Sequence, residues 1–200
     1  MKLNKRTILS FFLIAMFLGT TLISVGDILW GGNKKMGTIV VLVTSMGNIE
    51  IKLATKEAPI TTENFLSYVE EDYFDGTIFH RVISGFMIQG GGFTPDGTQK
   101  MAGDPIALES DNGLQNKRGT IAMARTSDPN SATSQFFINL IDNSFLDKSP
   151  GSDGYAVFGE VVEGMDVVDA IGAVKTSTKG LFEDRPEEDV VIMGAYVKEN

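Results

Sequence analysis

Residues 79–92, Phe-His-Arg-Val-Ile-Ser-Gly-Phe-Met-Ile-Gln-Gly-Gly-Gly, alternate side chains with a period of two, broken by one Ser-Gly pair and closed by three glycines. That period belongs to extended strands and commits this part of the chain to a sheet. The reading is two short strands turning at Ser84-Gly85. Phe79, Arg81 and Ile83 point one way on the first, and His80 and Val82 the other. The second strand sets Phe86 and Ile88 against Met87 and Gln89, so the face with Arg81 carries either Phe86 or Met87 with Gln89. Ser134-Gln135-Phe136-Phe137-Ile138-Asn139 has the same period and brings Gln135 and Phe137 onto one face. Large apolar side chains alone would be core. A guanidinium and two amides set into the same faces are what a core does not need.

The rest of the chain reads as more short strands and two helices. Thr38–Thr44 and Asn48–Leu53 are β-rich runs joined across Ser45-Met46-Gly47-Asn48, a hairpin because Gly47 can take a positive φ. Pro59 opens a helix on which Phe65, Leu66, Val69 and Tyr73 recur at helical spacing, giving it one apolar side that plugs an open end of a sheet or barrel. Phe93–Gly103 is a long loop. The three glycines before it are not a phosphate cradle, since no helix pattern and no Gly-Lys-Ser/Thr follow. Gly119–Arg125, Ser134–Asn139, Tyr155–Val162 and Val190–Val197 are further strands, and Gly164–Ile171 is a helix with Val168 and Ile171 inward. The expected fold is mainly β, a closed antiparallel barrel capped by two helices and preceded by an N-terminal apolar helix.

Composition removes several classes of chemistry. Among 200 residues there is no cysteine and one histidine. Disulfides, thiolate zinc sites and Cys nucleophiles are excluded, one His cannot supply a zinc set, and no Gly-x-Ser-x-Gly elbow occurs. Asp147, Ser149, Gly151 and Asp153 form a loose calcium-loop pattern without its central Gly or terminal Glu, so no metal and no cofactor are expected. His80, opposite Arg81, reads as a satisfied structural histidine. The net charge of −9 hides an asymmetry: residues 1–36 hold five Lys/Arg and one Asp, leaving 12 basic and 25 acidic residues in 37–200. So acidic a body is no nucleic-acid binder.

Residues 1–26 read as a signal peptide or membrane anchor. Lys2, Lys5 and Arg6 precede nineteen uncharged residues, Thr7–Val25. That length is near the roughly 20 residues of a spanning helix, and the flanking cations favour a cytoplasmic N-terminus. Length favours an uncleaved anchor, while Ser24-Val25-Gly26 offers the small residues of a cleavage site. Residues 27–36 have linker composition, and 37–200 form the domain. Either reading puts that domain outside the cytoplasmic membrane, in the periplasm or on the membrane's outer face.

Phe79-His80-Arg81-Val82-Ile83, Gly85-Phe86-Met87-Ile88-Gln89-Gly90-Gly91, Ser134-Gln135-Phe136-Phe137-Ile138 and Val157-Phe158-Gly159 resemble, in order and spacing, the signature blocks of cyclophilin-type peptidyl-prolyl isomerases. The likeness runs from Thr38 to about Val197. It implies an eight-stranded barrel and an enzyme that speeds rotation about X-Pro bonds and assists folding; together with the N-terminal segment, the expected substrates are exported polypeptides. It implies that Arg81 is catalytic, and that Gln89 orients Arg81 and the substrate backbone. Phe86, Met87, Phe137 and Leu146 match the proline pocket, and Ala124, Arg125 and Gln135 the groove for the substrate's main chain. Phe145, Tyr155 and Arg125 stand where many eukaryotic members have Trp, His and Asn, a combination similar to the bacterial branch. Ser84 replaces the Pro common before Gly85. Partners would be proline-containing polypeptides and, through an uncleaved N-terminus, the membrane; a monomer is expected.

The residues suit that chemistry. Rotation about X-Pro needs no covalent intermediate, only relief of a barrier of about 18–20 kcal/mol that comes from lost amide conjugation. A guanidinium donating to the prolyl nitrogen favours the twisted state, and a roughly 10⁵-fold acceleration would need about 7 kcal/mol. Two other readings are a non-catalytic module that holds proline peptides and a structural envelope protein. Intact Arg81 and Gln89 weigh against both.

Overall fold

Alternation builds the first hairpin. In a computed structural model that describes residues 37–199, strands β1 (Ile39–Thr44) and β2 (Gly47–Leu53) pair in register from Ile39↔Lys52 to Thr44↔Gly47. Ile49, Ile51 and Leu53 turn inward and are at most 3 % exposed, while Asn48 and Lys52 face solvent. Gly47 holds φ +133°, and Thr44 Oγ1 donates to its carbonyl at 2.7 Å, which closes the turn. The expectations for residues 1–26 and 27–36, the N-terminal helix included, lie outside the described residues. Among the described residues no helix is long and apolar enough to cross a membrane.

The same alternation continues through β3 (Thr77–Ile78), β4 (Arg81–Ile83), β5 (Met87–Gly90), β6 (Thr120–Met123), β7 (Phe136–Asn139), β8 (Val157–Glu163) and, after a separate hairpin of β9 (Thr176–Lys179) and β10 (Phe182–Pro186), β11 (Val191–Val197). Nine of these strands make one antiparallel sheet in the order β3-β11-β1-β2-β8-β6-β7-β5-β4, curled into a half-barrel around the main core. The expected closed, eight-stranded barrel is not what forms. Its edges β3 and β4 share no ladder, because the run from Phe79 that alternation suggests as one strand breaks at once. Phe79 and His80 leave the extended pairing; the Ile78 amide donates to Phe93 at 2.8 Å and the Phe79 amide to Val190 at 3.0 Å. The strand expected over Phe79–Ile83 is shortened to Arg81–Ile83, and β3 at Thr77–Ile78 is a separate edge strand.

Two helices cover the apolar edges. Helix α1 (Pro59–Glu70) starts on a proline, whose missing N–H is no loss in a first turn. The capping comes from far away in sequence: Glu109 Oε2 accepts from the Thr61 amide and hydroxyl at 2.7 Å each, and Oε1 from the Ile60 amide at 3.1 Å. A carboxylate there also complements the helix dipole. Phe65 on its buried side meets the rings of Phe74, Phe136 and Phe158 at 5.2, 5.7 and 5.1 Å. Tyr73 lies beyond the helix end yet stays buried, and Leu66 is only half-buried. Helix α2 (Met165–Gly172) buries Val168 and Ile171, as its spacing predicts.

Candidate active site

Residues directly opposed in an antiparallel ladder share a face, so the register itself lays out the site. Arg81 opposes Gln89, Gln89 opposes Phe137, Phe137 opposes Ala122, and Ala122 opposes Val157. The adjacent row, Val82, Ile88, Ile138 and Ile121, faces the main core. A slip of one residue would exchange the two rows. This resolves the open choice on the second strand. Met87 shares the face of Gln89, whereas Phe86 reaches the site from the turn before β5. Phe79 is not on the face of Arg81. It is fully buried in the main core, 6.2 Å from the Phe136 ring, because the chain leaves the strand at Phe79-His80.

Above this row lies a cavity of about 120 Å³ lined by Arg81, Phe86, Met87, Gln89, Ala124, Arg125, Phe137, Leu146 and Tyr155. An apolar cavity of about 150 Å³ is enough for benzene, so this one has the size of a single small ring. Met87 and Phe137 form its base with Ala122 and Val157, an apolar cluster separate from the main core. Two of the expected site residues stand one layer back. Phe145, on the 3-10 turn Ser144–Leu146, is 68 % exposed and stacks on Phe86 at 5.6 Å. Gln135 accepts from Gln89 Nε2 at 3.1 Å.

That bond starts a polar relay. Gln89 donates to Gln135, which leaves Gln89 Oε1 to accept from Arg81 Nη1 at a long 3.4 Å. Gly92 makes room for it, since a Cβ there would lie 2.6 Å from Gln135 Cγ. Arg125 is committed elsewhere: Nε and Nη2 donate to the Gly154 carbonyl at 3.1 and 2.9 Å, and Nη1 to that of Thr126 at 2.9 Å. Its Cζ lies 4.6 Å over the Tyr155 ring, which meets Phe137 edge-on at 5.6 Å. Arg125 therefore braces one wall. By contrast, Arg81 Nη2 has no protein partner among the described residues.

Three buried asparagines frame the pocket, and sequence reasoning passed over them. Asn143 Nδ2 donates to the Phe86 carbonyl at 3.0 Å and to Asn139 at 2.8 Å. Asn139 Nδ2 donates to Asn116 at 3.3 Å, and Asn116 Nδ2 to the Leu146 carbonyl at 3.2 Å. The backbones of Phe86 and Leu146 are thus tied to one buried ladder. The only hint was an Asn closing an otherwise apolar strand. Asp147, part of the loose calcium-loop pattern, accepts from the Asn116 amide at 2.6 Å.

His80 takes no part in the cavity. It is 4 % exposed, with its ring 4.7 Å from Phe93 and 5.7 Å from Phe182. It is buried as expected but not satisfied, because Nδ1 has no hydrogen-bond partner among the described residues. Burial outweighs the Ile78 carbonyl, which favours the charged ring, and with the Arg81 and Arg185 charges behind it pushes the imidazole from 6.5 down to about 4. The unfolded chain thus takes up a proton that the folded one refuses. Stability from neutral His80 is full above pH 6.5 and is lost as pH falls toward 4, up to about 3 kcal/mol. Urea unfolding at pH 7 and pH 4.5 should show His80→Phe gaining on the wild type by roughly 2 kcal/mol at the lower pH. An unchanged gap would refute the burial of a neutral ring.

The lining residues include no carboxylate, histidine, hydroxyl of Ser or Thr, or thiol. A ring-sized slot beside the Arg81 guanidinium suits a proline ring and the amide next to it. The profile described as Cyclophilin type peptidyl-prolyl cis-trans isomerase/CLD matches residues 39–197. The chain is 52 % identical over 176 residues to a peptidyl-prolyl cis-trans isomerase of Acinetobacter baylyi, covering 88 % of this chain and 94 % of that one. It is 55 % identical over 159 residues to peptidyl-prolyl cis-trans isomerase B of Escherichia coli, covering 78 % and 97 %. A Cryptosporidium parvum cyclophilin-type isomerase, crystallised in the presence of the dipeptide Ala-Pro, superposes with TM-score 0.68 at 26 % identity, over 81 % of this chain and 99 % of that one. The chain belongs to the cyclophilin family and is a peptidyl-prolyl cis-trans isomerase.

Proposed function

We propose that Arg81 carries the isomerisation, donating to the prolyl nitrogen as the amide twists while the ring sits between Met87, Phe137 and Leu146. One observation carries this reading: of the two cations lining the ring-sized cavity, Arg125 is committed to carbonyls and Arg81 keeps an uncommitted Nη2. As resonance is lost the nitrogen becomes more basic, so the donor binds the twisted state more strongly than the planar one. Gln89 orients Arg81 and the substrate backbone, Gln135 fixes Gln89, and Phe86, Ala124, Phe145 and Tyr155 shape the groove. Removing the base of the slot tests this. Phe137→Ala should lower kcat/KM for an Ala-Pro peptide about tenfold, mostly through KM. An unchanged KM would show that the ring binds elsewhere.

The substrates in this proposal are exported polypeptides, met outside the cytoplasmic membrane by a monomeric domain at residues 37–200. Lys2, Lys5 and Arg6 ahead of the uncharged run Thr7–Val25 support it, as signal peptide or anchor. Protease added to spheroplasts of an expressing bacterium should digest the domain; protection equal to that of a cytoplasmic marker would refute the placement.

A further inference from the structure

Gln89 is not the only polar group beside Arg81. Asp184 Oδ2, on β10, lies 3.9 Å from Arg81 Nε, a different nitrogen from the one that reaches Gln89. The two side chains are 46 % and 40 % exposed. So open an ion pair adds little to stability. Its effect lies in where it keeps the guanidinium.

The hairpin places this carboxylate next to β4 through an irregular pairing. Phe182 opposes Lys179 and Arg185 opposes Ser177, so Glu183 and Asp184 stand against Thr178 alone. Two residues against one is a β-bulge, a device that re-aims side chains. Strict alternation would send Phe182 and Arg185 to opposite faces; here the Arg185 Cζ lies 5.6 Å over the Phe182 ring. Both are anchored. Arg185 is 6 % exposed and donates to Asp189 from Nε at 2.9 Å and from Nη2 at 2.8 Å, and also to the Pro95 carbonyl. Phe182 packs on His80 and, at 4.9 Å, on Phe93. The backbone on both sides of Asp184 is therefore fixed against the body of the domain next to β4.

We infer that Asp184 is a positioning residue for Arg81: the bulge holds its carboxylate at Nε, which restricts the guanidinium to the orientation that leaves Nη2 for the substrate. The inference rests on the reading of Arg81 as the reacting donor. The test uses full-length wild type, Asp184→Asn, Asp184→Glu, Arg81→Ala and the Arg81→Ala/Asp184→Asn double variant. Turnover of an Ala-Pro peptide and the Arg81 Nε–Hε NMR resonance are the readouts. Asp184→Asn should lower kcat roughly tenfold with KM unchanged. It should also move the Nε–Hε resonance, and Asp184→Glu should recover part of both. In the Arg81→Ala background the substitution should cause no further loss. Wild-type kcat in Asp184→Asn beside a loss of about 10²–10³-fold in Arg81→Ala would overturn the role of Asp184 alone, as would an equal loss in the Arg81→Ala background. Retained activity in Arg81→Ala would overturn the reading of Arg81, and this inference with it.

Discussion

Arg81→Ala should lower kcat/KM for an Ala-Pro peptide by about 10²–10³-fold, almost all of it in kcat, the loss typical for one transition-state donor. The ring slot of Met87, Phe137 and Leu146 is untouched by the change, so ground-state binding should persist. Arg81 makes no buried contact whose removal would unfold the site, since its side chain is 46 % exposed and its partners are Gln89 and Asp184. Arg81→Lys separates charge from geometry. An ammonium keeps the cation but cannot reach Gln89, Asp184 and a substrate nitrogen with three different atoms of one rigid fork. Lysine should therefore recover only a small part of the loss. Recovery to wild-type rates would mean that charge alone stabilises the twisted amide.

Phe65→Ala should cost about 3–5 kcal/mol of stability and lower Tm by roughly 10 °C. The ring is 1 % exposed, and three other aromatic rings surround it, from three separate parts of the chain: Phe74 after α1, Phe136 on β7 and Phe158 on β8. Truncation leaves a cavity that three rigid rings cannot fill without losing their own edge and tilted contacts. Urea unfolding monitored by circular dichroism measures it. A loss below about 1 kcal/mol would mean that α1 does not plug the sheet through this residue.

The pocket was legible because its residues stand on strands whose alternation separates core from site. Once Arg81 and Gln89 are put on one face, the ladder carries that face to Phe137 and Ala122 without further information. Alternation could not show where a strand stops. Phe79 seemed to belong with Arg81 because the pattern runs through it, but pairing with Val190 takes the backbone out of the ladder there. The same break leaves the sheet an open half-barrel. The hairpin of β9 and β10 went unseen because Thr-Ser-Thr-Lys and Phe-Glu-Asp-Arg-Pro carry no apolar period, and Asp184 went with it. Glu109 and the buried asparagines were hidden for another reason. Glu109 caps backbone amides 48 and 49 residues away at Thr61 and Ile60, and the asparagines tie to one another and to backbone at Phe86, 57 residues from Asn143, and Leu146; no local pattern records such long-range bonds.

Two-dimensional exchange NMR on an Ala-Pro peptide, with the full-length wild type and with Arg81→Ala at peptide concentrations that saturate both, separates binding from turnover most directly. The expected result is that the peptide shifts the Met87 methyl and Phe137 ring resonances in both proteins, while cis/trans exchange is accelerated by the wild type and about 10²–10³-fold less by the variant. Undiminished exchange with Arg81→Ala would contradict the assignment of the reaction to that guanidinium.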